Sequence, residues 1–101
     1  MINLEAYQYD AIEFTLNKKN SSDNITLALS DGNDYNFEIN LKELFTSEEA
    51  GIYINENTYI ISLQKNFPNV SNVKYIYFWA YPPKTSGSIE YEVSGLKFIK
   101  P

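Results

Sequence analysis

Apolar and polar residues alternate along most of the chain, which is the pattern of half-buried β-strands. In residues 12–16 every second side chain is apolar, and the same period of two returns at residues 25–29 and 35–41. Residues 31–34 separate the last two runs and contain Asp-Gly, a dipeptide that favours a tight hairpin turn. The first 41 residues therefore predict three strands and one hairpin.

One segment has helical spacing instead. Leu41, Leu44 and Phe45 stand at positions i, i+3 and i+4, and Gly51 stands where a helix would end. Residues 41–51 therefore predict one or two helical turns.

The second half of the chain returns to strand patterns separated by turn-forming residues. The predicted strands cover residues 51–54, 58–63, 73–81 and 88–98. Gly95 interrupts the last of them, and a glycine inside a strand pattern indicates a β-bulge. Seven or eight short strands with at most one short helical turn predict an all-β antiparallel sandwich of jelly-roll type, with residues 1–101 forming one domain.

Composition narrows the function classes. Histidine, cysteine and arginine are absent, all eight basic residues are lysines, and the formal net charge is −5. Histidine-dependent catalysis, the usual zinc sites and bidentate arginine contacts are thereby excluded. The acidic balance argues against nucleic-acid binding, and no apolar run reaches the roughly 20 residues of a membrane helix. Carboxylate pairs such as Glu48-Glu49 have no predicted cleft around them, so we expect no enzyme.

The most distinctive local pattern is an aromatic stripe in which every second residue is a tyrosine or tryptophan. Its members are Tyr75, Tyr77, Trp79 and Tyr81. On a strand these side chains share one face, while Ile76, Phe78 and Ala80 occupy the other face and suit a core. Amphipathic rings in a row can stack on the apolar patches of sugar rings and reach their hydroxyls. Two other interpretations stay open: ordinary sheet packing and an interface with another protein.

The last predicted strand offers polar groups that would complement this stripe. If Ile89, Tyr91 and Val93 face the core, Glu90 and Glu92 share the outward side. Their carboxylates would accept hydrogen bonds from sugar hydroxyls if this strand lies beside the aromatic one. The alternative is a solvated acidic edge that discourages aggregation.

Residues 9–16, in which a tyrosine precedes an alternating strand, and residues 73–98 carry a family resemblance. Over about two-thirds of its length the chain resembles the galactose-binding-like jelly-roll carbohydrate-binding modules of bacterial polysaccharide-degrading enzymes. The resemblance implies non-catalytic binding of a plant cell-wall or similar polysaccharide, in a module of a larger extracellular enzyme. Many such modules hold a structural calcium with an aspartate near the position of Ser94, where serine lacks the negative charge that calcium favours. We expect no cofactor.

A second function class uses the same aromatic surface. A small acidic protein rich in tyrosine and asparagine, produced from a free-standing gene, would be a cytoplasmic interaction or assembly module. Tyrosine and tryptophan are the favoured anchors of protein interfaces, so the stripe alone does not separate docking on a partner protein from glycan binding.

Overall fold

The computed structural model describes residues 4–5, 9–20, 23–33, 37–68, 70, 72–80 and 89–100. Nine strands are present among them. They are β1 (Leu4–Glu5), β2 (Ala11–Lys18), β3 (Ile25–Ser30), β4 (Phe37–Asn40), β5 (Ile52–Asn55), β6 (Thr58–Ser62), β7 (Asn72–Val73), β8 (Tyr75–Ala80) and β9 (Tyr91–Ile99). Two of them, β1 and β7, have only two residues each.

The strands form two principal antiparallel sheets that pack face to face. The larger sheet has the order β5-β6-β2-β9, the smaller one has the order β4-β3-β8, and β1 pairs with β7. After β2, β4, β6 and β8 the chain passes from one principal sheet to the other, as it does in double-sheet jelly rolls. The all-β antiparallel sandwich predicted from the alternation is confirmed.

The core lies between the two sheets and is built from the predicted inward positions. Strand β2 contributes Ile12, Phe14 and Leu16, and β3 contributes every second residue from Ile25 to Leu29, all essentially inaccessible to water. Both strands are central in their sheets, so their apolar rows face each other at the middle of the sandwich. Burial of these rows is the main free-energy gain of folding.

Aromatic contacts centre on Phe14. Its ring stacks on Tyr59 of the same sheet at 5.2 Å between centroids, and it meets the edge of Phe78 of the opposite sheet at 5.2 Å. The Tyr91 hydroxyl donates a 2.8 Å hydrogen bond to the Phe78 carbonyl oxygen, which joins β9 to β8 across the sandwich. These contacts fix β8 against the larger sheet.

The helical prediction holds for its first turn only. A 3₁₀ turn spans Leu41–Glu43 and is capped by Asn40, but Leu44 returns to extended backbone. Phe45, counted in the predicted apolar face, is 76% exposed. The Thr46 hydroxyl exchanges hydrogen bonds with the backbone of Ile54, so this segment runs along the edge of β5 instead of coiling.

A second helical turn was not predicted. It spans Leu63–Asn66 and is capped by Ser62, whose hydroxyl accepts a hydrogen bond from the Lys65 amide. The buried Phe67 follows it directly. The strand β6 ends at the residue before this helix, and four residues are too few to show the helical spacing of apolar residues.

The hairpin and bulge predictions are confirmed. Strands β3 and β4 pair antiparallel, with Leu29 opposite Phe37, and Gly32 between them has a φ of +100°. Asp34 of the predicted turn and residues 35–36 of the predicted strand lie outside the described residues. The pairing of β2 with β9 shifts register between Glu13 and Thr15, opposite Gly95, whose φ is +62°. Only glycine adopts this φ without strain.

We predict that Gly51→Ala destabilises the protein more than Gly95→Ala. Both glycines have positive φ, +68° and +62°, but an added Cβ at Gly51 would lie 2.5 Å from the Ser62 Cβ, whereas nothing lies within 4 Å at Gly95. The φ penalty common to both is about 1–2 kcal/mol, and the contact adds to it at Gly51 alone. Urea denaturation measures the difference, and equal losses of unfolding free energy would contradict the geometry.

A second prediction concerns alkaline pH. Burial raises the pKa of the Tyr59 phenol above its ordinary value of 10.0. In the unfolded chain this phenol ionises first, so the stability it contributes is complete below pH 10 and is lost as pH rises above 10. Tyr59→Phe keeps the ring and removes the proton. The unfolding free energy of the wild type should fall more steeply above pH 10 than that of the variant, and parallel curves would refute this.

Candidate functional site

Three members of the aromatic stripe lie on the outer face of the smaller sheet, as predicted. Tyr75, Tyr77 and Trp79 point away from the core, and we call them the aromatic platform. The alternate residues of β8, from Ile76 to Ala80, pack against the buried cluster between the sheets. Tyr81, the fourth predicted member, lies outside the described residues.

Two rings of the platform lie nearly parallel. The centroids of Tyr75 and Tyr77 are 6.0 Å apart and their planes differ by 26°. Tyr75 is 37% exposed, and Tyr77 and Trp79 are half-buried. The two rings therefore stack on each other along the strand and together line this part of the outer face.

Small side chains on β3 explain how these rings are seated. Thr26, Ala28 and Ser30 also point away from the core, and they pair with Trp79, Tyr77 and Tyr75 respectively, but all three are buried; Ala28 has no accessible surface at all. Residues on the outer face of a sheet are buried only when larger neighbours cover them. The rings opposite them on β8 are the largest such neighbours in the described part of the chain, so we infer that the rings lean over the central strand.

Strand β4 borders the same face on the other side. Glu38 pairs with Ala28, and Asn40 pairs with Thr26. Ile39 between them packs against the core, so Glu38 and Asn40 point outward. Asn40 is already engaged, because its side-chain oxygen accepts a 3.1 Å hydrogen bond from the Lys42 amide. The exposed Glu38 carboxylate is the acidic group of this face that the sequence reasoning did not single out.

Glu90 and Glu92 do not lie beside the platform, because the condition for it, a last strand next to the aromatic strand, is not met. Strand β9 is hydrogen-bonded to β2 in the larger sheet, where Glu92 pairs with Asn17 on the outer face. Glu90 precedes β9 and forms a 3.0 Å ion pair with Lys19. The inward positions on either side of them are as predicted, but the sandwich puts their carboxylates on a different sheet from the aromatic rings.

The outer face of the larger sheet has a different chemistry. Several of its polar groups pair with one another: Lys97 pairs with Glu13 at 3.1 Å, and the Thr15 and Thr58 hydroxyls are 3.2 Å apart. Tyr53, at 49% exposure, stands at one side of this face. We find there no second run of aromatic side chains among the described residues.

Other kinds of site find little support in the described residues. No group of three or more carboxylate, histidine or cysteine side chains is arranged to hold a metal ion within the ranges given above. The longest helix of that part of the chain has four residues, so none of its helices crosses a membrane.

No protein family, curated protein or solved structure gives a significant match to this chain. The resemblance to carbohydrate-binding modules therefore stays a prediction.

The placement of the platform predicts unequal effects of two neighbouring substitutions. Phe78 is also partly buried, but it packs against the buried Phe14 between the sheets, so Phe78→Ala should cost about 3 kcal/mol of unfolding free energy, at the low end for a core phenylalanine. Trp79→Ala removes a partly buried ring from the outer face, where it pairs with Thr26 and leaves the core between the sheets filled, and should cost about 1–2 kcal/mol. Urea denaturation of both variants checks this, and a larger loss for Trp79→Ala would contradict the assigned faces.

Proposed function

We propose that this protein binds carbohydrate without catalysis, through the aromatic platform on the outer face of the smaller sheet. The observation that supports this most directly is the shared outward orientation of Tyr75, Tyr77 and Trp79, two of whose rings are nearly parallel. Each ring offers an apolar surface together with a hydroxyl or indole N–H, the combination that sugar rings match.

The open shape of the site suits a polysaccharide. Successive platform residues stand two positions apart on one strand, so their side chains repeat about every 6.5–7 Å along it. An extended chain of sugars lying along β8 would meet one ring after another. The absence of an enclosing cleft around these three rings in the described residues also favours binding over hydrolysis, because a raised carboxyl pKa requires a desolvated pocket.

Sheet packing alone explains the choice of platform residues less well than glycan binding does. Phenylalanine would cover Thr26 and Ala28 with a ring of similar size, whereas every platform residue carries a polar group at the end of its aromatic ring. Polar ring ends are useful where one side of the ring is dry and the other meets water or a ligand.

Affinity electrophoresis tests the proposal on plant β-glucans, xylan and mannan. We expect the wild type to be retarded on at least one of these glycans, because the platform supplies a stacking surface. Trp79→Ala and Tyr77→Ala should each weaken that binding about tenfold or more, since each removes a stacking ring.

Tyr53→Ala is the matched control. It removes an exposed tyrosine from the outer face of the other sheet, so it should leave migration unchanged. Equal migration of wild type and the platform variants on every gel would refute glycan binding by this surface. Loss of a protein partner upon the same substitutions, without any retardation by glycans, would instead support the docking interpretation.

A further inference from the structure

We propose that Glu38 is the hydrogen-bonding residue of the platform and that its charge makes the site select neutral glycans over uronate-containing ones. This inference rests on the proposed function and adds a residue and a substrate class to it. It starts from the strand register, which places a carboxylate and an aromatic ring on either side of one alanine.

The register sets the geometry. Ala28 pairs with Glu38 on one side and with Tyr77 on the other, and all three point outward. Neighbouring strands lie about 4.8 Å apart, so β4 and β8 are separated by about 10 Å across β3. Because Ala28 between them is fully buried, the ring side of this row closes over the methyl group, and the exposed Glu38 carboxylate lies at the border of the platform, where a sugar stacked on Tyr77 can reach it.

The Glu38 carboxylate is available for a ligand. It is exposed, and in the described portion of the chain it makes neither an ion pair nor a hydrogen bond. By contrast, Glu13 of the larger sheet and Glu90 just before β9 are paired with Lys97 and Lys19. Glu92 is exposed like Glu38, but it lies on the other sheet, away from the platform.

The chemistry follows from this charge. An ionised carboxylate has two acceptor oxygens and no donor, so it suits adjacent sugar hydroxyls that donate to both. A uronate carboxylate on the same sugar whose hydroxyls contact Glu38 would lie well inside the Debye length of about 8–10 Å, so salt screens little of the repulsion between the two like charges. The protein's net charge of −5 and its lack of arginine also disfavour an acidic glycan.

Glu38→Gln and Glu92→Gln form a matched pair for the test. Both residues are exposed glutamates on strands, but Glu92 lies on the outer face of the other sheet. Binding is measured by affinity electrophoresis and calorimetry on β-glucan, xylan and mannan, and on polygalacturonate as the acidic probe.

We expect Glu38→Gln to weaken binding of the neutral glycan about tenfold, because a charge-assisted hydrogen bond is replaced by a neutral one. The ratio of neutral to polygalacturonate binding should fall, whereas Glu92→Gln should stay within twofold of the wild type for both. Urea denaturation verifies that both variants fold.

Different results would refute the role of Glu38 and glycan binding by the platform. If the wild type binds a neutral glycan and Trp79→Ala abolishes this binding, but Glu38→Gln behaves like Glu92→Gln, the role of Glu38 is refuted and the proposed function stands. Tight binding of polygalacturonate by the wild type would likewise refute the selectivity. If the wild type binds none of the glycans, the proposed function fails and this inference fails with it.

Discussion

Contact between the two sheets through Phe14 is the interaction on which the rest of the structure depends. This ring stacks on Tyr59 within its own sheet and meets the edge of Phe78 in the other. Because β-strand side chains alternate, placing Phe78 in the core forces the residues on either side of it outward. The aromatic platform is therefore a direct consequence of core packing. Because the alternate side chains of β8 from Ile76 to Ala80 pack against the core, the aromatic side chains between them must point outward.

Local sequence patterns predicted the features that depend on residues close in sequence: strand positions, strand faces, the turn and the bulge. The alternation located most strands, and it assigned the faces of β8 and of residues 89–93 correctly. The Asp-Gly turn and the Gly95 bulge were equally readable, because each depends on backbone geometry that glycine adopts readily.

Long-range pairing was not readable, and the candidate site depends on it. The alternation of β9 shows that Glu92 points outward but not from which sheet, because the partner strand, β2, lies more than 70 residues earlier. The same limit hid Glu38, whose position beside the platform depends on both neighbours of β3. The helix predicted beyond residue 43 is absent for a related reason. Helical spacing of apolar residues predicts a helix only if that face packs on a core, and here Thr46 hydrogen-bonds to the backbone of Ile54 at the edge of β5.

The small residues of β3 have a consequence for how the surface can change. Ala28 has no contact with water, and it lies between Tyr77 on one neighbouring strand and Glu38 on the other. A bulkier residue there would lift the phenol ring and change its tilt without altering any atom that a ligand touches. The shape of the outer surface thus depends on a buried residue beneath it. A substitution at Ala28 could change ligand preference while the exposed side chains stay the same.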